Sequence, residues 1–273
     1  MEHTRIEIKG VNYGYRHCGK GEAVVLLHGI TTNSLVWQNV VPFLESKYSI
    51  YSFDLLGCGI SDKTVEVDYS IKNQASLIIE ALKKLGLSKV HLAAHDVGGG
   101  IAQIMAVNSP GMFKSVTLVN SVAFDFWPVQ PIIAMRTPII RQIAISTLDL
   151  GMLKMIVKRG LFHKEKLTTE LMGKFNSQMS TAEGRKAFLH FVRCLNNSDL
   201  LEIEEELKTT KIPFQIIRGE YDVYLSKEIS DKLYSVIPNS KLKTIDTAGH
   251  FAMIDEPEKI ANYLKEFWSE VDE

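Results

Sequence analysis

Short apolar runs alternate with amphipathic stretches through the first 120 residues of the chain. The runs are residues 23–27 (AVVLL), 49–53 (SIYSF), 90–94 (VHLAA) and 116–119 (VTLV). Runs of this length, rich in Val, Leu and Ile, suit strands buried on both faces, as in a parallel sheet. Between them the spacing predicts helices over 35–44, 71–85 and 98–107. Within 71–85, apolar residues fall at 71, 75, 78, 82 and 85, on one helical face, and Gly86 stops the pattern. Strand and helix patterns in alternation mean βαβ units. Ahead of them, residues 5–9 and 11–17 read as an antiparallel hairpin turning near Gly10.

From about Val122 to Thr210 the strand signal vanishes, and the pattern is helical and rich in Met and Ile. Gly151, Gly160, Gly173 and Gly184 are the expected breaks. Strand signals return at 214–218 (FQIIR) and 242–245 (LKTI), followed by helix patterns over 226–236 and 257–268. The helical block is therefore expected as an insertion between two strands of one sheet. That predicts an α/β core domain of residues 1–121 and 211–273, with a helical cap of residues 122–210. An insertion at the edge of a sheet commonly forms a lid over the site beneath it.

Composition excludes several functions. Lys and Arg number 31 against 32 Asp and Glu, so the basic excess of a nucleic-acid binder is missing. With 45% hydrophobic and 23% charged residues, the chain is ordinary for a globular protein and unlike a disordered one. No uninterrupted apolar run approaches the ~20 residues of a bilayer span; the stretch 131–157 is broken by Arg136, Arg141, Asp149 and Lys154. The opening MEHTRIEIKG has no apolar segment of the signal-peptide kind, so a cytoplasmic location without a membrane partner is expected. Cys18, Cys58 and Cys194 match no metal-ligand spacing or disulfide framework and read as buried free thiols. The glycine run 98–100 lacks both the Lys-Ser/Thr of a phosphate loop and the spacing of a dinucleotide fingerprint. No metal or cofactor is expected, and the chain is expected as a monomer or homodimer.

The chemistry concentrates at strand ends. The run 90–94 passes into His95-Asp96-Val97-Gly98-Gly99-Gly100, and a helix pattern follows. Ala94 and Gly98 are small residues two places either side of Asp96, as a strained turn that thrusts one side chain outward requires. His28-Gly29 follows the run 23–27, and residues 54–62 read DLLGCGISD. Asp222 closes RGEYD after the run 214–218, and His250 lies in AGHFAMIDEPEKI after the last strand. In this order the motifs resemble those of the α/β-hydrolase-fold superfamily, over nearly the whole chain. The residue at the elbow is Asp rather than Ser, which resembles the branch of haloalkane dehalogenases, haloacetate dehalogenases and epoxide hydrolases. The resemblance implies a mostly parallel twisted sheet flanked by helices, and a triad of Asp96, His250 and Asp222. It also implies an oxyanion hole from the backbone N–H groups of Ile30 and Val97. Asp54 and Asp62 read as turn and loop-packing residues.

Each implied role has a physical basis. An aspartate side chain is anionic at neutral pH and needs no base to become a nucleophile. Its carboxylate can displace a leaving group from a saturated carbon, leaving an alkyl ester on Asp96. His250 then acts as base for a water attacking that ester, with Asp222 orienting it.

The substrate class is less defined. Haloalkane dehalogenases usually bind halide with a Trp directly after the nucleophile, where this chain has Val97, and many have Asn where it has Ile30. Epoxide hydrolases use cap tyrosines, but residues 122–210 contain no Tyr, and their Pro two places after His-Gly is here Thr31. Trp127, His163 and His190 are therefore the candidate leaving-group donors in the cap. The apolar cap residues Ile132, Ile133, Met135, Ile139, Ile140, Met152, Met155, Phe162, Phe188 and Phe191 suit a small or medium hydrophobic substrate. Arg136 and Arg141 leave haloacids open. Two further readings stand beside the covalent one: Asp96 as a base in ester, lactone or carbon–carbon cleavage, and a non-catalytic binding protein on this scaffold.

Overall fold

Lys9 and Gly10, at φ values of 50° and 83°, turn the first hairpin tightly enough that Ile8 pairs with Val11 across it. They join β1 (Glu2–Ile8) to β2 (Val11–Cys18) in a computed structural model that describes residues 2–127, 151–177 and 179–273. The apolar runs form the strands expected of them: β3 (Glu22–Leu27), β4 (Tyr48–Phe53), β5 (Val90–Asp96), β6 (Phe113–Ser121), β7 (Phe214–Gly219) and β8 (Lys241–Ile245). All eight lie in one sheet of order β1-β2-β4-β3-β5-β6-β7-β8. The strands from β3 to β8 pair in parallel; β1 and β2 are antiparallel additions at one edge. Every residue of β5 and β7 is buried, the mark of central strands covered on both faces.

Helix α1 (Ile71–Lys84) starts at Ser70, whose hydroxyl accepts from the Asn73 N–H, and gives way at Leu85 before Gly86. Helix α2 (Val97–Asn108) follows β5 without a spacer and is buried almost throughout. The helix expected over 35–44 does not form. The segment makes two short 3-10 turns, Ser34–Trp37 and Val41–Phe43. Pro42 has no N–H to donate into an α-helix there.

Between β6 and β7 the described residues are helical and contain no strand. They include α3 (Leu153–Gly160), α4 (Thr169–Asn176), α5 (Ala182–Cys194) and two single turns, Ser198–Leu201 and Glu204–Leu207. Gly160 ends α3 as expected. Gly173 lies inside α4, and Gly184 sits in the first turn of α5, where its N–H is capped by the Thr181 hydroxyl. Neither breaks a helix: a single glycine costs about 1 kcal/mol, which tertiary burial of the helix offsets. Residues 128–150, with Ile132, Ile133, Met135, Arg136, Ile139, Ile140 and Arg141, lie outside the described residues. Helices α6 (Lys227–Val236) and α7 (Pro257–Asp272) complete the fold. No helix among the described residues is long and apolar enough to cross a membrane. All three cysteines are free; Cys58 is buried, and Cys18 and Cys194 are half-buried rather than fully buried.

Candidate active site

Asp96 ends β5 at φ 52° and ψ −124°, and the β5–β6 register slips between His95 and Asp96. Holding a non-glycine residue there costs about 1–3 kcal/mol, which persists only if the surroundings enforce it. They do so through close approaches. A Cβ on Gly98 would lie 2.4 Å from the His28 carbonyl oxygen, and one on Gly29 would lie 2.5 Å from Asp96 Oδ2. Glycine at both places lets the His28-Gly29 loop touch the elbow.

The Ile30 N–H reaches Asp96 Oδ2 at 3.0 Å, while Oδ1 accepts no hydrogen bond among the described residues. Val97 opens α2, so its N–H is a first-turn donor without an intrahelical acceptor. His28 supports this loop. Its Nε2 accepts from the Leu55 N–H at 2.9 Å, so its proton sits on Nδ1, which donates to the Gly29 carbonyl at 2.6 Å. Burial lowers its pKa and keeps it neutral. Asp54 is a loop anchor, as expected: it is buried and accepts from the N–H groups of Ser34 and Ile60. Asp62 accepts from the Asn12 backbone at 2.7 Å.

His250 follows β8, and its Nδ1 meets Asp222 Oδ2 at 2.9 Å. The other Asp222 oxygen accepts from the Tyr224 and Leu225 N–H groups at 2.8 and 3.0 Å. The Asp222 side chain is fully buried, and that of His250 is 7% exposed. Burial by itself would lower the His250 pKa. The charge and hydrogen bond of Asp222, joined by the charge of Asp96, outweigh it and hold the pKa above the usual histidine value. Burial would likewise raise Asp222, and His250 with the two backbone donors brings it below the usual carboxylate value. Because Nδ1 is committed to Asp222, the neutral imidazole offers its lone pair at Nε2.

The backbone of His250 is held as firmly as its ring. Its N–H donates to the Gly160 carbonyl at 2.7 Å, and its carbonyl accepts from His95 Nε2 at 2.9 Å and Asn120 Nδ2 at 2.8 Å. Burial and the neighbouring His250 push the His95 pKa well below the ordinary value, so two adjacent imidazoles do not both charge. Asp255, fully buried, accepts three backbone hydrogen bonds: Gly249 at 2.8 Å, Phe162 at 3.0 Å and His163 at 2.8 Å. It ties the His250 loop to the segment after α3. Replacing Asp255 by Asn would turn one acceptor into a donor facing an N–H. We expect Asp255→Asn to lose about 2–3 kcal/mol of stability, read as a lower denaturant midpoint at unchanged slope.

The three cap candidates fare differently. Trp127 is buried, and its indole N–H has no hydrogen-bond partner among the described residues. The ring of His163 lies 3.3 Å from carboxylates of both Glu165 and Glu256. His190 Nε2 donates to the Val67 carbonyl at 2.7 Å, and its ring packs on Tyr69. Both histidines are thus engaged by groups other than the Asp96–His250–Asp222 set. Phe188 and Phe191 are core residues, whereas Met155 is 70% exposed. Sequence reasoning passed over Asn120, Asp255 and His95. The one local signal for Asn120 is a polar residue at the carboxyl end of a buried parallel strand, where such sheets place their ligands.

Residues 22–257 match the family model described as the alpha/beta hydrolase fold, and the chain belongs to that family. A protein of Bacillus subtilis described as the uncharacterized hydrolase YugF is 27% identical, the match covering 96% of each chain. A cis-3-alkyl-4-alkyloxetan-2-one decarboxylase of Shewanella oneidensis is 24% identical over 94% of this chain and 85% of its own. Among solved structures, the haloalkane dehalogenase DbeA of Bradyrhizobium elkani superposes with a TM-score of 0.86 at 20% identity, covering 98% of this chain and 99% of its own. The epoxide hydrolase CorEH superposes with a TM-score of 0.80 at 18% identity, covering 99% of both. At these identities the structural likeness is one of fold.

Proposed function

We propose that the protein is a hydrolase that forms a covalent alkyl ester on Asp96. The observation that carries this is the state of the Asp96 carboxylate: Oδ2 is held by the Ile30 N–H while Oδ1 accepts no hydrogen bond among the described residues. Oδ1 attacks a saturated carbon, and the carbon–halogen or epoxide carbon–oxygen bond breaks, its electron pair leaving with the halide or oxygen. Neutral His250 then takes a proton from water through Nε2, and the hydroxide adds to Cγ of Asp96. The oxyanion formed there faces the N–H groups of Ile30 and Val97. Its collapse breaks the bond from Cγ to the alkyl oxygen, the departing alkoxide takes the proton from His250, and the carboxylic acid left on Asp96 gives up its remaining proton to solvent or to the alkoxide an epoxide leaves, restoring the carboxylate. Asp222 steadies the imidazolium between these steps.

Residues 122–210 act in this reading as a lid on the core of residues 1–121 and 211–273, shielding the ester from bulk water. The substrate is small or medium and hydrophobic. Trp127 is the leaving-group donor the reading favours, because a buried indole N–H without a partner among the described residues gains a hydrogen bond to a departing halide or oxygen.

A second reading is favoured by the Shewanella relative, named for an oxetan-2-one, which is a strained four-membered lactone. Such a ring releases strain when a carboxylate opens it, as an epoxide does.

The test is intact mass spectrometry of His250→Gln after incubation with haloalkanes, epoxides and four-membered lactones. We expect Asp96 to gain the alkyl group of at least one haloalkane, or the whole of an epoxide, and the adduct to persist. Labelling by lactones alone would favour the second reading. No adduct from any class, combined with turnover by the wild type, would sink the covalent mechanism.

A further inference from the structure

Asn120, the penultimate residue of β6, has a left-handed conformation, φ 41°, and is 6% exposed. Asn tolerates that region better than most residues, but the conformation alone does not account for how fully its side chain is used. Nδ2 donates to two carbonyls, Gly249 at 2.9 Å and His250 at 2.8 Å. Oδ1 accepts the Gly219 N–H at 2.9 Å. One carboxamide therefore joins three chain segments: the end of β6, the end of β7 three residues before Asp222, and the loop that carries His250.

The junction it spans is where regular pairing stops. Strands β7 and β8 pair as far as Gly219 and Ile245. Beyond that, the loops bearing Asp222 and His250 stay joined by the Glu220 N–H to the Ile245 carbonyl at 2.9 Å and the Tyr221 N–H to the Ala248 carbonyl at 3.0 Å. Gly219 and Gly249 approach so closely there that a Cβ on Gly219 would lie 2.2 Å from the Gly249 carbonyl oxygen. Asn120 bonds to both of these residues from the neighbouring strand. A carboxamide suits the place because it presents donors to two carbonyls and an acceptor to one N–H. Aspartate, ionised, would set a negative oxygen against two carbonyls. Alanine would take this partner from the Gly249 carbonyl and the Gly219 N–H, and leave the His250 carbonyl to His95.

We propose that Asn120 is a positioning residue for the hydrolytic step: by bracing the His250 loop against the end of β7, it sets the geometry of the His250–Asp222 pair. The proposal rests on the reading of His250 as base and Asp222 as its orienting acid. Asn120 itself touches no reacting atom. His95 also donates to the His250 carbonyl, so loss of Asn120 loosens the loop without releasing it.

Two variants and two readouts test this. Asn120→Gly removes the side chain while accepting the positive φ, which separates hydrogen bonding from backbone strain. Asn120→Asp keeps the acceptor and loses the donors. The first readout needs no substrate: the titration of His250, followed by NMR on labelled histidine and assigned by its absence in His250→Gln. The charged or titratable groups around His250 are Asp222, Asp96 and His95, with the Tyr224 ring 5.2 Å away. We expect Asn120→Gly to lower the His250 pKa, as its grip on Asp222 slackens. Asn120→Asp should raise it through the added negative charge.

The second readout is kinetic, with whichever compound labels Asp96. Both variants should lose ~10- to 100-fold in kcat with KM changed by less than about threefold. A folded Asn120→Gly protein with the wild-type His250 titration would overturn the proposal, whatever its stability. A pKa change without any active substrate would uphold the role of Asn120 in shaping the pair and count against the hydrolase reading alone. Wild-type kcat in both variants would reject the role in catalysis even if the titration moved.

Discussion

Asp96→Ala is expected to lose at least ~10⁴-fold in turnover, because no other group on the elbow can take over as nucleophile. The fold should survive. Alanine at φ 52° carries strain similar to that of aspartate there, and the elbow is enforced by its neighbours rather than by the carboxylate. The same variant makes a second measurement possible. Asp96 is one of the two carboxylates that raise the His250 pKa, so removing it should lower the pH at which His250 titrates. The sign matters for mechanism. A base must be neutral to act, and a raised pKa delays neutrality in the resting enzyme. In the proposed scheme, esterification of Asp96 would remove the same charge, making His250 a readier base when the ester needs hydrolysing. Comparing the His250 titration in wild type and Asp96→Ala tests this directly. An unmoved titration would mean that Asp96 and His250 are not electrostatically joined, and the two-step scheme would lose its link. Tight retention of a ligand by Asp96→Ala, with no turnover by wild type on any compound, would instead support a binding protein.

Gly29→Ala should be nearly as damaging to activity while leaving most of the stability. The added Cβ would lie 2.5 Å from Asp96 Oδ2 and 2.6 Å from Asp96 Cβ, so the Asp96 side chain or the His28-Gly29 loop must shift. Either movement breaks the 3.0 Å contact between the Ile30 N–H and Oδ2. Misplacement on the order of 1 Å can lower rates by about 100-fold, and the oxyanion donor is lost with it. We expect kcat to fall at least ~100-fold for both ester formation and hydrolysis. Rapid-mixing mass spectrometry would resolve the two steps. A Gly29→Ala enzyme with near-normal kcat would show that the Ile30 amide plays no part in the reaction.

The inner strands β3, β5, β6 and β7 were legible because each contains a short apolar run, and a strand buried on both faces has little room for polar side chains. Asp96, Asp222 and His250 were legible because each sits just beyond such a run, in a local motif. The 35–44 segment misled because its apolar spacing is helical while Pro42 forbids the bond the spacing implies. Gly173 and Gly184 misled in the opposite direction. A lone glycine weakens a helix by less than the burial of residues such as Phe175 and Phe188 stabilises it.

By itself, then, the sequence determined where the inner strands lie along the chain, the helical character of the described residues between β6 and β7, and the aspartate at the elbow. These depend on patterns within a few residues, and local sterics and burial write such patterns directly into residue type. Only the tertiary structure decided which side chains brace the elbow and its histidine. Asn120 and the His250 carbonyl are 130 residues apart in the chain, and Asp255 and Phe162 are 93 apart. A hydrogen bond across such distances leaves no period or spacing behind, because it is set by how the sheet brings strand ends together. The same holds for His190 with Val67, and for His163 with Glu256, 93 residues away. Their rings are engaged by Glu165, Glu256 and Val67 because those groups lie beside them in the folded chain.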